Sequence, residues 1–289
     1  MNAPFKTPAD PAEAPVWDLS DLYASSADPR IEADLERARA LVGELNALQG
    51  RLLEARSRAD LLGERLDRAV SLYEQASDRL GVLGAYAFLA ASTNRNDAAA
   101  QGFEATMREK ITTIATPTVW VTLEINQLEA VEIDAALEAW PAAARWRPWL
   151  RRVRAMKPHE LSQELETFLA QRGPISAQWP RLFDETMAAM RVKAGKDELT
   201  LSEALNRLSD PKAARRKAAA EGLNEALGAR TQTIALVLNT VAADKALEDR
   251  WRGFKRPADS RHLANEVDGD AVDAMAEAVA AAYPRLSHR

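Results

Sequence analysis

The chain has 289 residues, and its 47% hydrophobic content is enough to fill the core of one large or two ordinary domains. The 38 Lys and Arg stand against 43 Asp and Glu, a net charge of -5 with the two signs mixed along the chain; there is no basic field to exchange for counterions on phosphate, so nucleic acid is not an expected partner. The absence of Cys excludes disulfide frameworks, thiolate zinc sites and Cys nucleophiles, and no segment approaches the roughly 20 continuous apolar residues of a membrane helix.

Residues 1–15 are expected to form a disordered tail. The opening MNAPFKTPADPAEAPV holds four prolines and no apolar run behind a basic cluster, so it does not resemble a secretory signal and a cytoplasmic location is expected. From Val16 the segment VWDLSDLY offers Trp17, Leu19, Leu22 and Tyr23 as apolar anchors. Asp28 and Pro29 then mark a helix start, an Asp to cap free amides and a Pro already at helical φ. Leu41, Leu45, Leu48 and Leu52 follow at helical spacing and are expected on one face.

A second helix carries Leu66, Val70, Tyr73 and Leu80 and continues into GVLGAYAFLAA, apolar on nearly every side and therefore expected to be surrounded by other helices. A third runs from about Asp97 to Ala115, with Pro117 to interrupt it, completing an N-terminal helical region over 16–116. Residues 117–190 are rich in Trp (Trp120, Trp140, Trp146, Trp149, Trp179), cut by Pro141 and Pro148, and interleaved with Arg145, Arg147, Arg151, Arg152 and Arg154. Rings packed at helix junctions with Arg stems laid across them explain this pattern better than base stacking, given the acidic balance. Met190 to Leu201 alternates around a glycine turn and predicts a small β-hairpin near 190–201. Helices are expected from Leu201, behind Asp210 and Pro211, from about Arg230 to Arg250, and from about Gly269 to Tyr283, with Gly222, Gly228 and Gly253 at packing points or helix ends. The expected fold class is all-α, a multi-helix lobe with one small hairpin.

Several segments together carry a family resemblance: WDLSDLY at Trp17–Tyr23, LSDP with a basic helix behind it at Leu208–Arg216, LNTVAADK at Leu238–Lys245, EDRWRGF at Glu248–Phe254 and NEVDGDAVDAMAEAV at Asn265–Val279. In this order the chain resembles oligoendopeptidase F, a zinc metallopeptidase of the thimet oligopeptidase superfamily. The resemblance implies that 117–190 corresponds to the family's N-terminal domain and 195–289 to a truncated start of its catalytic domain. It also implies zinc for the full-length family member, oligopeptides as substrate, and a catalytic half supplied in cis or in trans. The family's H-E-x-x-H helix, whose two His share a zinc while the Glu deprotonates the bound water, has no counterpart here.

His159, His262 and His288 are the three His, and no two stand four apart. His159-Glu160-Leu161-Ser162-Gln163 approaches the zinc motif, but Gln163 replaces the second His with a poor zinc ligand, and Pro158 places His159 near the first turn of a helix. His262 and His288 are expected to be exposed, in or near loops. No catalytic residue, metal ligand or substrate contact is assigned to this chain. The expected function is therefore the N-terminal half of an oligoendopeptidase F-like peptidase, inactive alone; a non-enzymatic helical scaffold or partner subunit is the alternative. With no catalytic half to cover them, the apolar helices from Leu205 to Val279 suggest self-association.

Overall fold

The structure, a computed structural model, describes residues 17–93 and 97–287; the expected tail over 1–15 and His288 lie outside them. Of the four apolar anchors that the sequence suggested, Tyr23, Leu19 and Leu22 pack on the core and Trp17 does not. Trp17 is 64% exposed, while Tyr23 is buried, its hydroxyl donating to Asp34 at 2.9 Å and its ring meeting Tyr86 edge-on at 5.1 Å. Leu19 and Leu22 pack beside it at the edge of the core.

Helix α1 spans Pro29–Asn46, with the Asp28 carboxylate accepting from the amide of Arg30 as expected of an N-cap. It buries Ile31, Leu35, Ala38, Leu41, Val42 and Leu45. The expected continuous face through Leu48 and Leu52 is broken. The chain turns at Gly50, which sits at φ 81, and Leu52 is buried from a separate one-turn helix, α2 (Arg51–Glu54). The reason is tertiary: the buried Glu124, more than 70 residues away, accepts from the amides of Gly50 at 2.7 Å, Leu52 at 2.9 Å and Leu53 at 3.3 Å. These are groups that a continuous α1 would have used internally.

Helix α3 (Ala59–Thr93) is the central rod, packed by α1 on one side and by α4 (Ala98–Ala115) and α6 (Ala130–Ala139) on others. Its apolar stretch over 81–91 is not surrounded as expected. Leu83, Tyr86 and Ala87 are buried, yet Val82 and Phe88 face outward. Gly81 and Ala85 raised the apolar count of that stretch without building a second packing face, so one stripe is enough to hold the helix. Asp97 caps α4, and Pro117 ends it in a one-turn 3-10 helix over Thr116–Thr118.

Short elements follow, as the prolines required: α5 (Trp120–Gln127), α6, a 3-10 segment at Pro141–Trp146, α7 (Arg147–Ala155) and a 3-10 turn at Lys157–His159. Three of the five Trp rings pack at these junctions, while Trp140 is exposed. Buried Trp120 donates to Asn46 at 2.8 Å, Trp146 donates to Asp67 at 2.8 Å beneath the Arg145 guanidinium, and Trp149 lies against Tyr73. Helix α8 (Gln163–Ser176) is capped by Ser162 and contains Pro174 in its last turn, and α9 (Gln178–Ala188) leads to the hairpin. Strand β1 (Arg191–Ala194) pairs antiparallel with β2 (Asp197–Thr200) around Gly195 at φ 71, as the alternation predicted.

Thr200 then caps α10 (Leu201–Arg207), followed by α11 (Ala213–Gly228), α12 (Thr231–Arg252), α13 (Asp259–Ala264) and α14 (Gly269–Leu286). Gly253 closes α12 in the left-handed conformation. The buried apolar residues gather in two clusters, one drawn from Tyr23 through Val153 and a smaller one from Met190 through Ala226.

The second cluster depends on a close approach of α11 to β1. A Cβ on Gly222 would lie 2.0 Å from the carbonyl oxygen of Lys193, a backbone atom that cannot rotate away. Gly222→Ala is expected to destabilise this cluster by about 1–3 kcal/mol, since the overpacking strain outweighs the gain in helix propensity. Gly228→Ala, with open space around it, is expected to raise stability by about 0.5–1 kcal/mol. Urea denaturation of the pair checks both, and equal stabilisation by the two substitutions would show that the hairpin yields freely.

Candidate functional site

A concavity of about 630 Å³ lies where α3, the end of α4, α5, α7, α8 and the end of α12 converge. Tyr73, Ile111, Leu123, Val153 and Leu169 supply apolar wall. Thr112, Thr116, Thr118 and Thr122 line it where the 3-10 turn at Pro117 links α4 to α5, and Glu160, Glu166, Glu248 and Arg252 close its polar end. A cavity of this size with a few convergent polar groups is of the kind that holds small molecules or peptides.

Arg252 organises the polar end. Its guanidinium donates in a fork to both carboxylate oxygens of Glu166, at 2.7 and 2.9 Å, through Nε to Glu248 at 2.7 Å, and to the carbonyl oxygen of His159 at 3.2 Å. These bonds hold the Arg252 guanidinium well above its usual range. Burial pushes the Glu166 carboxyl up, but the bonds from Arg252 and from the amide of Leu161 outweigh it and leave it below the ordinary glutamate value. Glu160 moves the other way: burial, with the Glu166 charge beside it, raises its carboxyl against the lowering bond from Asn126. Asn126 itself is buried, donates to the carbonyl oxygen of Val153 at 3.1 Å and to Glu160, and leaves its Oδ1 without a hydrogen-bond partner.

His159 sits beside this site in a structural role. Its ring stacks on Phe254 at 3.9 Å, and its Nδ1 lies 2.8 Å from the carbonyl oxygen of Arg252. Pro158 lies within a single 3-10 turn over Lys157–His159, not at the start of the following α-helix; Glu160 is extended and α8 begins only at Gln163. His159, Glu160 and Gln163 therefore do not share a helical face, and His159 and Glu160 already have protein partners. These residues do not fit a zinc ion. His262 is half-buried and not exposed as expected, on the short α13 near loops, and distant in sequence from any other described His; among the described residues no group of three or more His, Asp or Glu is placed to hold a metal. No helix among them is long and apolar enough to cross a membrane.

Reading the sequence singled out the segments containing Arg252 and Glu160 but not their convergence. EDRWRGF drew attention as a whole, and nothing in it distinguished Arg252 from Arg250. The site exists only because α12 returns to α8 across 86 residues.

Residues 124–191 match the family model for the N-terminal part of the M3 peptidases, described as Oligopeptidase F. The match falls on the Trp-rich region; the later segments that carried the resemblance in sequence lie outside it. The crystal structure of oligoendopeptidase-F from Enterococcus faecium superposes with a TM-score of 0.73 at 16% identity, covering 88% of this chain and 51% of that one. The crystal structure of a putative peptidase from Chlamydophila abortus gives a TM-score of 0.52 at 18% identity, covering 88% of this chain and 42% of that one. At these identities the likeness is one of fold, and the chain spans about half the length of the structures that it matches. No curated protein sequence matches it.

Proposed function

We propose that this chain forms the N-terminal lobe of an oligopeptidase F-like zinc metallopeptidase that hydrolyses peptide bonds in short peptides, with the zinc held by a catalytic half in cis or in trans. The match of residues 124–191 to the oligopeptidase F model carries this reading, supported by the superposition over 88% of the chain. On this reading the lobe orients the peptide and the catalytic half performs the chemistry, so neither should be efficient alone. A cytoplasmic location belongs to the same proposal.

The test is to mix the purified chain with a separately expressed catalytic portion of an oligoendopeptidase F and follow cleavage of a short quenched-fluorescence peptide. Hydrolysis should appear in the mixture and be absent from this chain. Activity of the catalytic portion that is the same with and without this chain would overturn the proposal, and so would one retained zinc per chain after chelator washing.

The exposed apolar side chains of α12 and α14 fit the same reading. Leu236, Leu238, Leu247 and Trp251 on α12, and Met275, Val279 and Tyr283 on α14, stand in solvent. Large exposed apolar patches on soluble proteins mark interfaces or association-prone surfaces. The isolated chain is expected to self-associate, with mass by light scattering rising over a concentration series and a hydrophobic dye binding in proportion. A concentration-independent monomer that binds no dye would show that the lobe is self-sufficient.

A further inference from the structure

The polar balance of the cavity described above is lopsided in a way that points to a ligand. Three of its threonines have already spent their hydroxyl protons on backbone: Thr116 donates to the carbonyl of Thr112 at 2.7 Å, Thr118 to that of Ala115 at 2.8 Å and Thr122 to that of Val119 at 3.4 Å. A hydroxyl so committed offers only its oxygen lone pairs to anything in the cavity. Three carboxylates, Glu160, Glu166 and Glu248, line the same space, and their one cationic neighbour in the lining, Arg252, is consumed by Glu166 and Glu248. Lys157, which also acts on Glu160, points its ammonium toward Glu129 at 3.9 Å. Behind Glu160, the buried Asn126 Oδ1 is an acceptor that no described group satisfies.

Acceptors thus outnumber donors, and one carboxylate has no cation of its own. Buried or half-buried carboxylates are costly unless a positive or hydrogen-donating group meets them. We propose that this cavity binds a primary ammonium group, presented either as the free amino terminus of a short peptide or as one end of an aliphatic diamine, with Glu160 as its counter-ion and the Thr116, Thr118 and Thr122 oxygens as its hydrogen-bond acceptors. An ammonium carries three donors and no acceptor, which is the complement of this lining. The apolar wall of Tyr73, Ile111 and Leu169 accommodates the carbon skeleton behind the charge, and about 630 Å³ leaves room for more than one residue. The site is built from this chain's own residues and does not depend on peptidase activity.

Glu160→Gln is a fair probe because it retains size and can still accept from Asn126. Burial and the Glu166 charge raise the Glu160 carboxyl, so a folded pKa above the unfolded one means that its ionised form weakens the fold once pH exceeds that unfolded value. Removing the charge is therefore not expected to unfold the chain, and a circular-dichroism melt of the variant checks this. Calorimetric titration of the full chain with trialanine, N-acetyl-trialanine and 1,4-diaminobutane reads the site at neutral pH. Trialanine should bind at least tenfold more tightly than its acetylated form, and Glu160→Gln should remove most of that difference; Thr122→Val should reduce it partly. Diaminobutane displacing trialanine would show that the ammonium alone suffices, whereas binding of trialanine without diaminobutane would assign the site to a peptide terminus; both support an ammonium site. Equal binding of free and acetylated peptide, no binding of either amine, or an unchanged preference in a folded Glu160→Gln chain would overturn it. None of these failures bears on whether the lobe serves a peptidase, which the mixing experiment reads separately.

Discussion

Arg252→Ala is expected to lower the stability of the chain by about 3–5 kcal/mol, the range found when one member of a largely buried ion pair is removed and the other is left uncompensated. Arg252 and Glu166 retain only 11% and 17% of their side-chain exposure, so solvent does little to screen what remains. The substitution strips a forked pair from Glu166, a further bond from Glu248 and the donor to the His159 carbonyl, and it leaves Glu160, Glu166 and Glu248 facing one another around the cavity. Urea denaturation measures the loss, and hydrogen exchange over 157–170 and 248–256 should rise with it. A loss under about 1 kcal/mol would reduce the pair to the value of a surface ion pair. Arg252→Lys should recover only part, because an ammonium cannot reproduce the fork.

The pH dependence has a definite sign. The Glu166 carboxyl lies below its ordinary value of 4.5 in the folded chain, so its contribution is fully present above that value and is lost as pH falls through the lower folded one. The wild-type chain should lose stability in acid over that window, and Arg252→Ala should lose less there, since the interaction that lowers Glu166 is already gone.

Glu124→Ala is expected to have an effect of similar size for a different reason. One buried carboxylate serves the amides of Gly50, Leu52 and Leu53, and removing it leaves three donors at the start of α2 with no partner in a place that water reaches poorly. At roughly 1–3 kcal/mol for each unsatisfied buried group, relieved in part by local rearrangement, the expected loss is about 3–5 kcal/mol. Glu124→Gln should be intermediate, because its oxygen can still accept from Leu52 and Leu53 while its NH2 group opposes the Gly50 amide. Thermal and urea denaturation against an exposed control, Glu64→Ala, settle the comparison; a Glu124→Ala chain as stable as the control would mean that the α1–α2 turn satisfies itself.

Local chemistry made much of the fold legible. Asp28-Pro29 and Asp97 start helices because a carboxylate and a preset φ act within one turn, and Pro117, Pro141 and Pro148 sit at element starts or breaks because a missing amide is felt at once. The hairpin at 191–200 follows from alternation around a glycine, and the oligopeptidase F likeness from residue order along the chain. What failed were expectations that depended on distant partners. Leu48 and Leu52 do not continue the face of α1, since Glu124 captures the amides that would have extended it. Phe88 is half exposed because the buried stripe of α3 runs through Leu83, Tyr86 and Ala87. His159 ends a 3-10 turn stacked on Phe254, a contact set by where α12 terminates.

The candidate site belongs wholly to that second kind. By itself the sequence determined the helix starts and breaks set by a capping Asp or a Pro, the all-α class with its hairpin, and the family likeness, because these depend on groups a few residues apart or on linear order. Only the tertiary structure decided that Arg252 meets Glu166, that Glu160 is left without a cation of its own, and that the threonine oxygens of the turn at Pro117 share its cavity. Charged residues at three- and four-residue spacing look alike on every solvated helix; which of them is buried, paired or left unpaired is fixed by desolvation and by partners that the fold brings from 86 residues away.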